Sequence, residues 1–430
     1  MKRQLIISLI ILFTHELYAQ MTLNDCLIYA RQHAHRNLLN RLEIDRYGTE
    51  VGMSISDILP DLRAYSNGNL SFGRNIDPAT NTYGDKQTLS LGFGVQMSLP
   101  LFDGLVNINN LKAARTARRR MEISAQIDED IVSMEVIKAF YQVSYCKALV
   151  SQMREQLNRD MQDLNATERG LELGTKSGAD VAEMRAVTAS DEFELLNQQN
   201  LLAKAYLNLR SNMGMEITGE ATIDLIEPIE DTSTIIPSKH TRIIEAELAV
   251  RGSVYNLRAA KGSYSPTLSL SGGISTSYYK MLNTQAVYPS FGRQWQNNMG
   301  EYIGLSISFP LFNGLASHHR VKRAGIQLKE NELKLEQTIY ELEKATREAM
   351  LDFTSSTDEL QAAVRRVNAE ETAFRAIRRK YELGQSSVID LYTASCRLAS
   401  AKADMERKRI QNIINNITLR YCMGEKLIKD

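Results

Sequence analysis

Asp180 and Glu183 stand three residues apart, so they share one face of any helix they occupy. An acidic pair so placed could attract cations; it could equally be a pair of N-terminal helix acids answering the macrodipole. Other reactive residue types lack the spacing their chemistry requires. Cys26, Cys146, Cys396 and Cys422 form no C-x-x-C pair and read as buried or idle thiols scattered through helical stretches. His318 and His319 are neighbours, and adjacent histidines on a helix point apart, which argues against zinc. Serine, histidine and aspartate occur without a nucleophile elbow, and no phosphate-binding glycine loop is present. Arg115, Arg118, Arg119 and Arg120 read as a solvated or headgroup-level helix face rather than a nucleic-acid patch. The sequence therefore predicts no catalytic site, no cofactor, no metal and no nucleic-acid partner.

Composition bounds the elements that must position these residues. The 430 residues carry 51 Lys and Arg against 51 Asp and Glu, with 43% hydrophobic content. That balance fits one or two globular domains and excludes both disorder and a helical membrane bundle. It also removes the field that would draw the chain to nucleic acid or an anionic lipid surface. Lys2 and Arg3, the apolar run Leu5 to Phe13 and then the small Ala19 read as an export signal, with residues 1–19 removed. The run is too short to span a bilayer, and Cys26 lies too far on, inside the next amphipathic segment, to anchor a lipid.

An internal repeat organises the rest. Ser98-Leu99-Pro100-Leu101-Phe102-Asp103-Gly104 returns as Ser308-Phe309-Pro310-Leu311-Phe312-Asn313-Gly314, and Leu171-Glu172-Leu173-Gly174 returns as Tyr381-Glu382-Leu383-Gly384. Leu209-Arg210 with Met213-Gly214 returns as Leu419-Arg420 with Met423-Gly424, and every pair shares one offset, 310 less 100, or 210 residues. Separate matches at one offset point to a tandem duplication. The first structural repeat is placed at 20–219, with a helix, a β-hairpin at 61–102 and a long helical hairpin at 104–214. Residues 220–262 form an equatorial linker and the start of the second repeat, placed at 263–430 with a β-hairpin at 266–312 and a helical hairpin at 315–424.

Prolines mark the boundaries. Residues 101–227 and 311–430 contain none, and each zone begins at the repeated Pro-Leu-Phe-(Asp/Asn)-Gly, which sets Pro100, Gly104, Pro310 and Gly314 at strand-to-helix junctions. In the second zone Ile339, Thr346, Phe353, Leu360, Val367, Phe374 and Tyr381 form a heptad row. A second row, Leu335, Leu342, Ala349, Ser356, Ala363, Glu370 and Ile377, turns small in its middle, as a seam between close helices requires. Glu370 does not fit that pattern. Residues 315–381 as one helix would measure roughly 100 Å.

Before each helical zone the period changes to two. Leu89, Leu91, Phe93, Val95, Met97, Leu99 and Leu101 alternate with Ser90, Gly92, Gly94, Gln96 and Ser98. Ile303, Leu305, Ile307, Phe309 and Leu311 repeat the pattern; 62–72 and 268–278 carry it more weakly, and 74–86 and 279–300 read as polar loops. Each half thus supplies a β-hairpin, four strands in all. Four strands cannot close a barrel, and no sheet edge can face lipid, so the barrel must be shared between copies of the chain. Cyclic symmetry closes such a ring, and three copies of four strands make twelve.

At this point the sequence resembles the TolC family of outer-membrane efflux proteins over essentially the whole mature chain. The opening Met21-Thr22-Leu23-Asn24-Asp25-Cys26-Leu27-Ile28-Tyr29-Ala30 and the duplicated Leu-Pro-Leu-Phe-Asp-Gly and Glu-Leu-Gly elements carry the likeness. The resemblance implies an α+β membrane protein: a trimer with a twelve-stranded outer-membrane β-barrel, an α-helical coiled-coil tunnel crossing the periplasm, and a mixed belt around it. It implies an exit duct for drugs, toxic compounds, metals or proteins in a tripartite efflux or type I secretion system, located in the outer membrane of a Gram-negative bacterium. A periplasmic adaptor and an inner-membrane pump would be its partners. It further implies an acidic ring at the periplasmic gate. Asp390 matches the first acidic position of that ring and Thr393 stands at the second, whereas the first half offers Asp180 and Glu183. The turns at Leu171, Gly174, Thr175 and at Tyr381, Gly384, Gln385 would face the adaptor. A trimeric coiled-coil adhesin is the alternative reading, but it expects all strands at the C-terminus.

Overall fold

The computed structural model describes residues 20–76, 82–217, 224–226, 240–282 and 287–427; the export-signal reading at 1–19 lies outside the described residues. In chain order the elements are β1 (Gln20–Thr22), α1 (Leu23–His33), α2 (His35–Ser56), β2 (Asp61–Ile76), β3 (Tyr83–Phe102), α3 (Val106–Glu172) and α4 (Gly178–Met213). There follow β4 (Asp224–Ile226), α5 (Thr241–Gly262), β5 (Thr267–Met281), α6 (Phe291–Asn297), β6 (Gly300–Ser308), α7 (Ala316–Glu382) and α8 (Val388–Cys422). The chain divides into two compact units, 1–42 with 123–244 and 337–430, and 43–122 with 245–336. Each unit therefore draws on both halves of the sequence.

In the first unit the core is built where the helices are richest in aliphatic and aromatic side chains. Val136, Ile137, Phe140 and Val143 of α3 pack with Leu209 and Met213 of α4 and with Cys26, Leu27 and Ala30 of α1, all buried. Full burial stabilises by about 1.5–3 kcal/mol for each large apolar side chain. The short parallel ladder of β1 on β4 pairs Met21 with Leu225. The two helical hairpins hold matching registers. Asn212 of α4 donates to the Glu135 carbonyl of α3, and Thr346 of α7 donates to the Cys422 carbonyl of α8; the 210-residue offset relates these positions to within one residue. α3 and α7 each contain 67 residues.

The seam read from the heptads is present in this unit, with Ala349, Ser356 and Val367 buried. Ser356 is small because Asn412 of α8 reaches in to its hydroxyl at 3.1 Å. Glu370, unexplained by periodicity, forms an ion pair with Arg397 of α8 at 3.7 Å.

In the second unit the four long strands form an antiparallel sheet in the order β2-β3-β5-β6, leaving β2 and β6 at its edges. The register sorts the side chains by polarity. Leu62 lies opposite Met97, Val95 opposite Ile274, Leu99 opposite Leu270, and Leu270 opposite Leu305, all on one face. Gln96, Ser98, Ser269, Ser271 and Ser306 occupy the other face by the same alternation. The apolar face is bare over much of its extent: Leu62, Phe72, Ile303 and Leu305 are 70%, 65%, 87% and 63% exposed.

Residues 279–300 were expected to form a polar loop, and the structure corrects this. β5 continues to Met281, and α6 then folds back over the sheet. Because β6 begins only at Gly300, opposite Ser275, the last residues of β5 have no strand partner on that side. Side-chain amides replace it. Asn298 Nδ2 donates to the Ser277 carbonyl at 2.7 Å, while Gln294 both accepts from Tyr279 N at 2.9 Å and donates to its carbonyl at 3.0 Å. Phe291 and Trp295 bring an aromatic cluster onto Phe93, with ring centroids 6.0 and 5.1 Å away. The loop reading at 74–86 is likewise too long, since β2 runs to Ile76 and β3 starts at Tyr83.

Candidate functional site

The helical hairpins reverse at glycine. Gly174 and Gly384 both adopt a left-handed backbone, φ 73° and 71°, which ends a helix without the steric cost a side chain would bring. Thr175 N then donates to Gly170 O at 2.8 Å, and Gln385 N to Lys380 O at 2.8 Å, closing each turn over the last carbonyls of α3 and α7. Leu171 and Tyr381 supply the carbonyls that accept from Gly174 N and Gly384 N, both at 3.0 Å.

The acidic residues singled out in the sequence stand immediately past these turns. Ser177 and Asp180 form a capping box at the start of α4: Asp180 N donates to Ser177 Oγ at 3.1 Å, and Ser177 N donates to Asp180 Oδ2 at 2.9 Å. Ser387 and Asp390 repeat it at α8, with Ser386 Oγ adding a third donor to Asp390 Oδ2 at 3.0 Å. The Ser177 and Ser387 backbone donors hold both carboxyls below the usual carboxylate range; Asp390 is exposed and Asp180 half-buried. Each therefore satisfies a helix end and still presents a charge at neutral pH. Glu183 is half-buried one turn into α4. Thr393, in the fourth position of the set, turns its hydroxyl back onto the Ile389 carbonyl at 2.7 Å.

The two turns are tied to each other around Tyr381, which sequence reasoning selected, by partners that it did not. Met184, Val187 and Val388 form a small buried core with Leu164, Tyr381 and Tyr392 around it. Lys176 places Nζ 4.3 Å from the Tyr381 ring centroid, Thr167 Oγ1 lies 3.1 Å from the Tyr381 hydroxyl, and Arg378 pairs with Asp163 at 3.4 Å. One sequence signal could have found this set: Tyr381 is the last member of the large heptad row, so its partners had to lie on the facing helix.

At the strand-to-helix junctions the repeated Asp or Asn has a plain task. Asp103 Oδ2 accepts from Asn107 N at 2.6 Å, and Asn313 Oδ1 accepts from Ser317 N at 3.4 Å, each in the first turn of its helix. Gly104 and Gly314 are left-handed, φ 73° and 65°. Pro100 still pairs within β3, opposite Ser269, and the ladder shifts register before Phe102; Pro310 lies beyond the end of β6. Gly104 crosses Gly262 so closely that an added Cβ would meet the Gly262 carbonyl at 2.3 Å.

The remaining chemical candidates resolve as follows. Cys26 and Cys146 are buried, Cys396 and Cys422 half-buried, and all four thiols are free. Burial, with the Asp25 charge beside it, pushes the Cys26 thiol up to about 12. Arg118 and Arg119 pair with Glu122, and Arg120 with Glu245, so most of the basic cluster is neutralised within the chain. The His318 and His319 rings do not point apart as expected. Their centroids lie 5.5 Å apart, edge to face, because side-chain rotamers offset the 100° helical step. Among the described residues no group of three ligating side chains surrounds them, and no helix is long and apolar enough to cross a membrane.

Comparison with known proteins places this architecture. The family model described as outer membrane efflux protein matches residues 30–215 and again 238–425. The toluene efflux pump outer membrane protein TtgC of Pseudomonas putida is 24% identical over 406 residues, covering 89% of this chain and 78% of its own. Outer membrane protein TolC of Escherichia coli is 21% identical over 341 residues, 77% of this chain and 68% of its own. The outer membrane protein VceC of Vibrio cholerae has a solved structure that superposes with a TM-score of 0.79 at 16% identity, covering 94% of this chain and 96% of that one. Neither the family match nor the strand order, in which each hairpin precedes a pair of long helices, supports the adhesin alternative. By its sequence match to the family model in both halves, the chain belongs to the outer membrane efflux proteins of the TolC family, channels of the Gram-negative outer membrane that extend into the periplasm.

Proposed function

We propose that three copies of this chain close a twelve-stranded barrel and a helical tunnel, and that the assembly is a passive exit duct through which a partner pump drives its cargo. One observation carries the reading: the second unit is complete on one side and open on the other. Gly104 and Gly262 touch, but their counterparts at the 210-residue offset, Gly314 and Gly52, each have nothing within 4 Å of a built Cβ. Around Gly314 the apolar side chains Phe309, Leu311 and Phe312 are 65%, 94% and 82% exposed. A second copy bringing its Gly52 against Gly314 would repeat between chains the crossing that exists within one, and would pair β6 with the next β2. Such a contact is heterologous, and it closes only as a ring. The family model matching each half separately supports the internal duplication that this argument uses.

In such a duct the turns at Leu171, Gly174, Thr175, Tyr381, Gly384 and Gln385 form the periplasmic tip and are the surface offered to a periplasmic adaptor and, through it, an inner-membrane pump. Asp180, Glu183 and Asp390 from each chain form the acidic ring of the gate, favouring cations at the mouth. The duct makes and breaks no bonds. The relatives' names span toluene and cations, in keeping with cargo chosen by the pump rather than by the wall.

Cysteines at Gly52 and Ala316, the latter beside Gly314 but free of its left-handed strain, test the assembly in membranes. Oxidation should yield a ladder of covalent dimer and trimer, and the purified protein should conduct in planar bilayers. A chain that stays monomeric and water-soluble without detergent would overturn the duct.

A further inference from the structure

Behind the two turns, where α3, α4, α7 and α8 converge in the first unit, a small cavity is lined by Asp160, Asp163, Met184, Arg378 and Tyr392 among others. Asp160 of α3, at the wall of this cavity, hydrogen-bonds the carboxyl group of Asp191 of α4. Asp160 is 8% exposed and Asp191 3%. The two acids are not equivalent. Gln156 Nε2 donates to Asp191 Oδ2 at 2.9 Å, which suits a carboxylate, whereas Asp160 Oδ2 has no partner among the described residues.

Two carboxylates in contact and out of water cannot both stay ionised unless a cation neutralises one of them. The surrounding charges do not supply that cation. On α3, Arg159 lines the same cavity and offsets the Asp160 charge only in part, being shared with Glu155 at 4.0 Å, and Asp163 adds a further acid. On α7, Arg378 is engaged by Asp163 and Glu382. On α8 the facing groups are Tyr392 and Cys396, both held in their neutral forms, by a hydrogen bond between them in the first case and by burial in the second. On α4 the residues that line the cavity are the apolar Met184 and Val187. What remains is a proton, shared as in other like-charged carboxyl pairs.

We propose that Asp160 and Asp191 form a proton-binding site that ties α3 to α4 behind the periplasmic turn and releases them when the proton leaves. Burial first, and the Asp191 carboxylate second, raise the Asp160 carboxyl well above its ordinary range. Its folded value exceeds its unfolded one, so the tie is fully present in acid and is lost as pH rises through the folded value. The inference rests on the duct reading only where it predicts conductance.

Infrared difference spectroscopy on the full chain in detergent tests the site without reference to transport. The wild type should show a protonated-carboxyl stretch at neutral pH that titrates away as one proton in the alkaline range, and Asp160→Asn should lose that band. In planar bilayers, wild-type conductance should rise over the same pH interval. Asp160→Asn, whose amide donates to Asp191 at every pH, should lose that dependence. Absence of the band in the wild type at neutral pH, or its survival in both Asp160→Asn and Asp191→Asn, would overturn the site. A titrating band with pH-independent wild-type conductance overturns the tie. Failure to conduct at any pH counts against the duct reading instead, because the infrared titration decides the proton site on its own.

Discussion

A carboxylate at the third position of a helix can serve the helix or the solvent, and at Asp180 and Asp390 the geometry lets it serve both. One oxygen of each accepts from the capping serine, while Asp390 is exposed and Asp180 only half-buried, so capping and a charged mouth do not compete. Two outcomes separate them. Ser177→Ala with Ser387→Ala should weaken each cap by about 1 kcal/mol, seen as faster hydrogen exchange in the first turns of α4 and α8, with ion selectivity unchanged. Asp180→Ala with Asp390→Ala should loosen the same turns and also reduce the preference for cations in planar bilayers; unchanged selectivity would remove these residues from the gate. Because both folded carboxyls titrate below their unfolded value, their capping contribution is full at neutral pH and lost only as pH falls through that lowered range. The sequence carried the acids, the serines and their spacing, hence the capping boxes were legible. The partners of Tyr381 were not, because Thr167 and Lys176 come from a helix and its turn more than two hundred residues earlier, and the heptad row that ends at Tyr381 gives the facing side but not which residues meet it.

At the scale of elements, strict alternation made β3 readable because the residues it gives to one face of the sheet, Leu89, Leu91, Phe93, Val95, Met97 and Leu99, are all apolar. α6 was unreadable for the opposite reason. Seven residues are too few to show a helical period, and besides seating Phe291 and Trp295 on Phe93 the helix supplies Gln294, with Asn298 just past its end, to an unfinished strand edge. That role gives a sharp expectation for Gln294, which is buried and makes three hydrogen bonds to backbone atoms of Tyr279 and Pro289. Gln294→Leu keeps the volume but removes all three of these hydrogen bonds, each worth about 0.5–1.5 kcal/mol. The variant should melt several degrees lower, and Trp295, the single tryptophan of the chain, should report local loosening through its fluorescence before the rest unfolds. Gln294→Glu, which keeps the acceptor for Tyr279 N, should lie between the two.

For the molecule as a whole, the duplication divides equivalent positions into those satisfied within the chain and those left open, and that asymmetry can be tested by substitution. At Gly104 the left-handed backbone and the carbonyl of Gly262 both exclude a side chain, so Gly104→Val should damage the fold of the single chain. Gly52 lies one turn before the end of α2 with ordinary helical backbone and open space beyond it. Gly52→Leu should therefore leave the helical content of the chain intact, and by intrinsic helix propensity should strengthen α2 by roughly 0.5–1 kcal/mol. Within a ring, though, the added side chain would meet the Gly314 turn of the next copy, where only backbone fits in the equivalent intrachain crossing. The expected result is a folded chain that no longer assembles, seen as loss of the trimer by light scattering or crosslinking while the circular dichroism is preserved. A trimer as stable with Gly52→Leu as without it would mean that the open face of the second half meets something other than a sister chain.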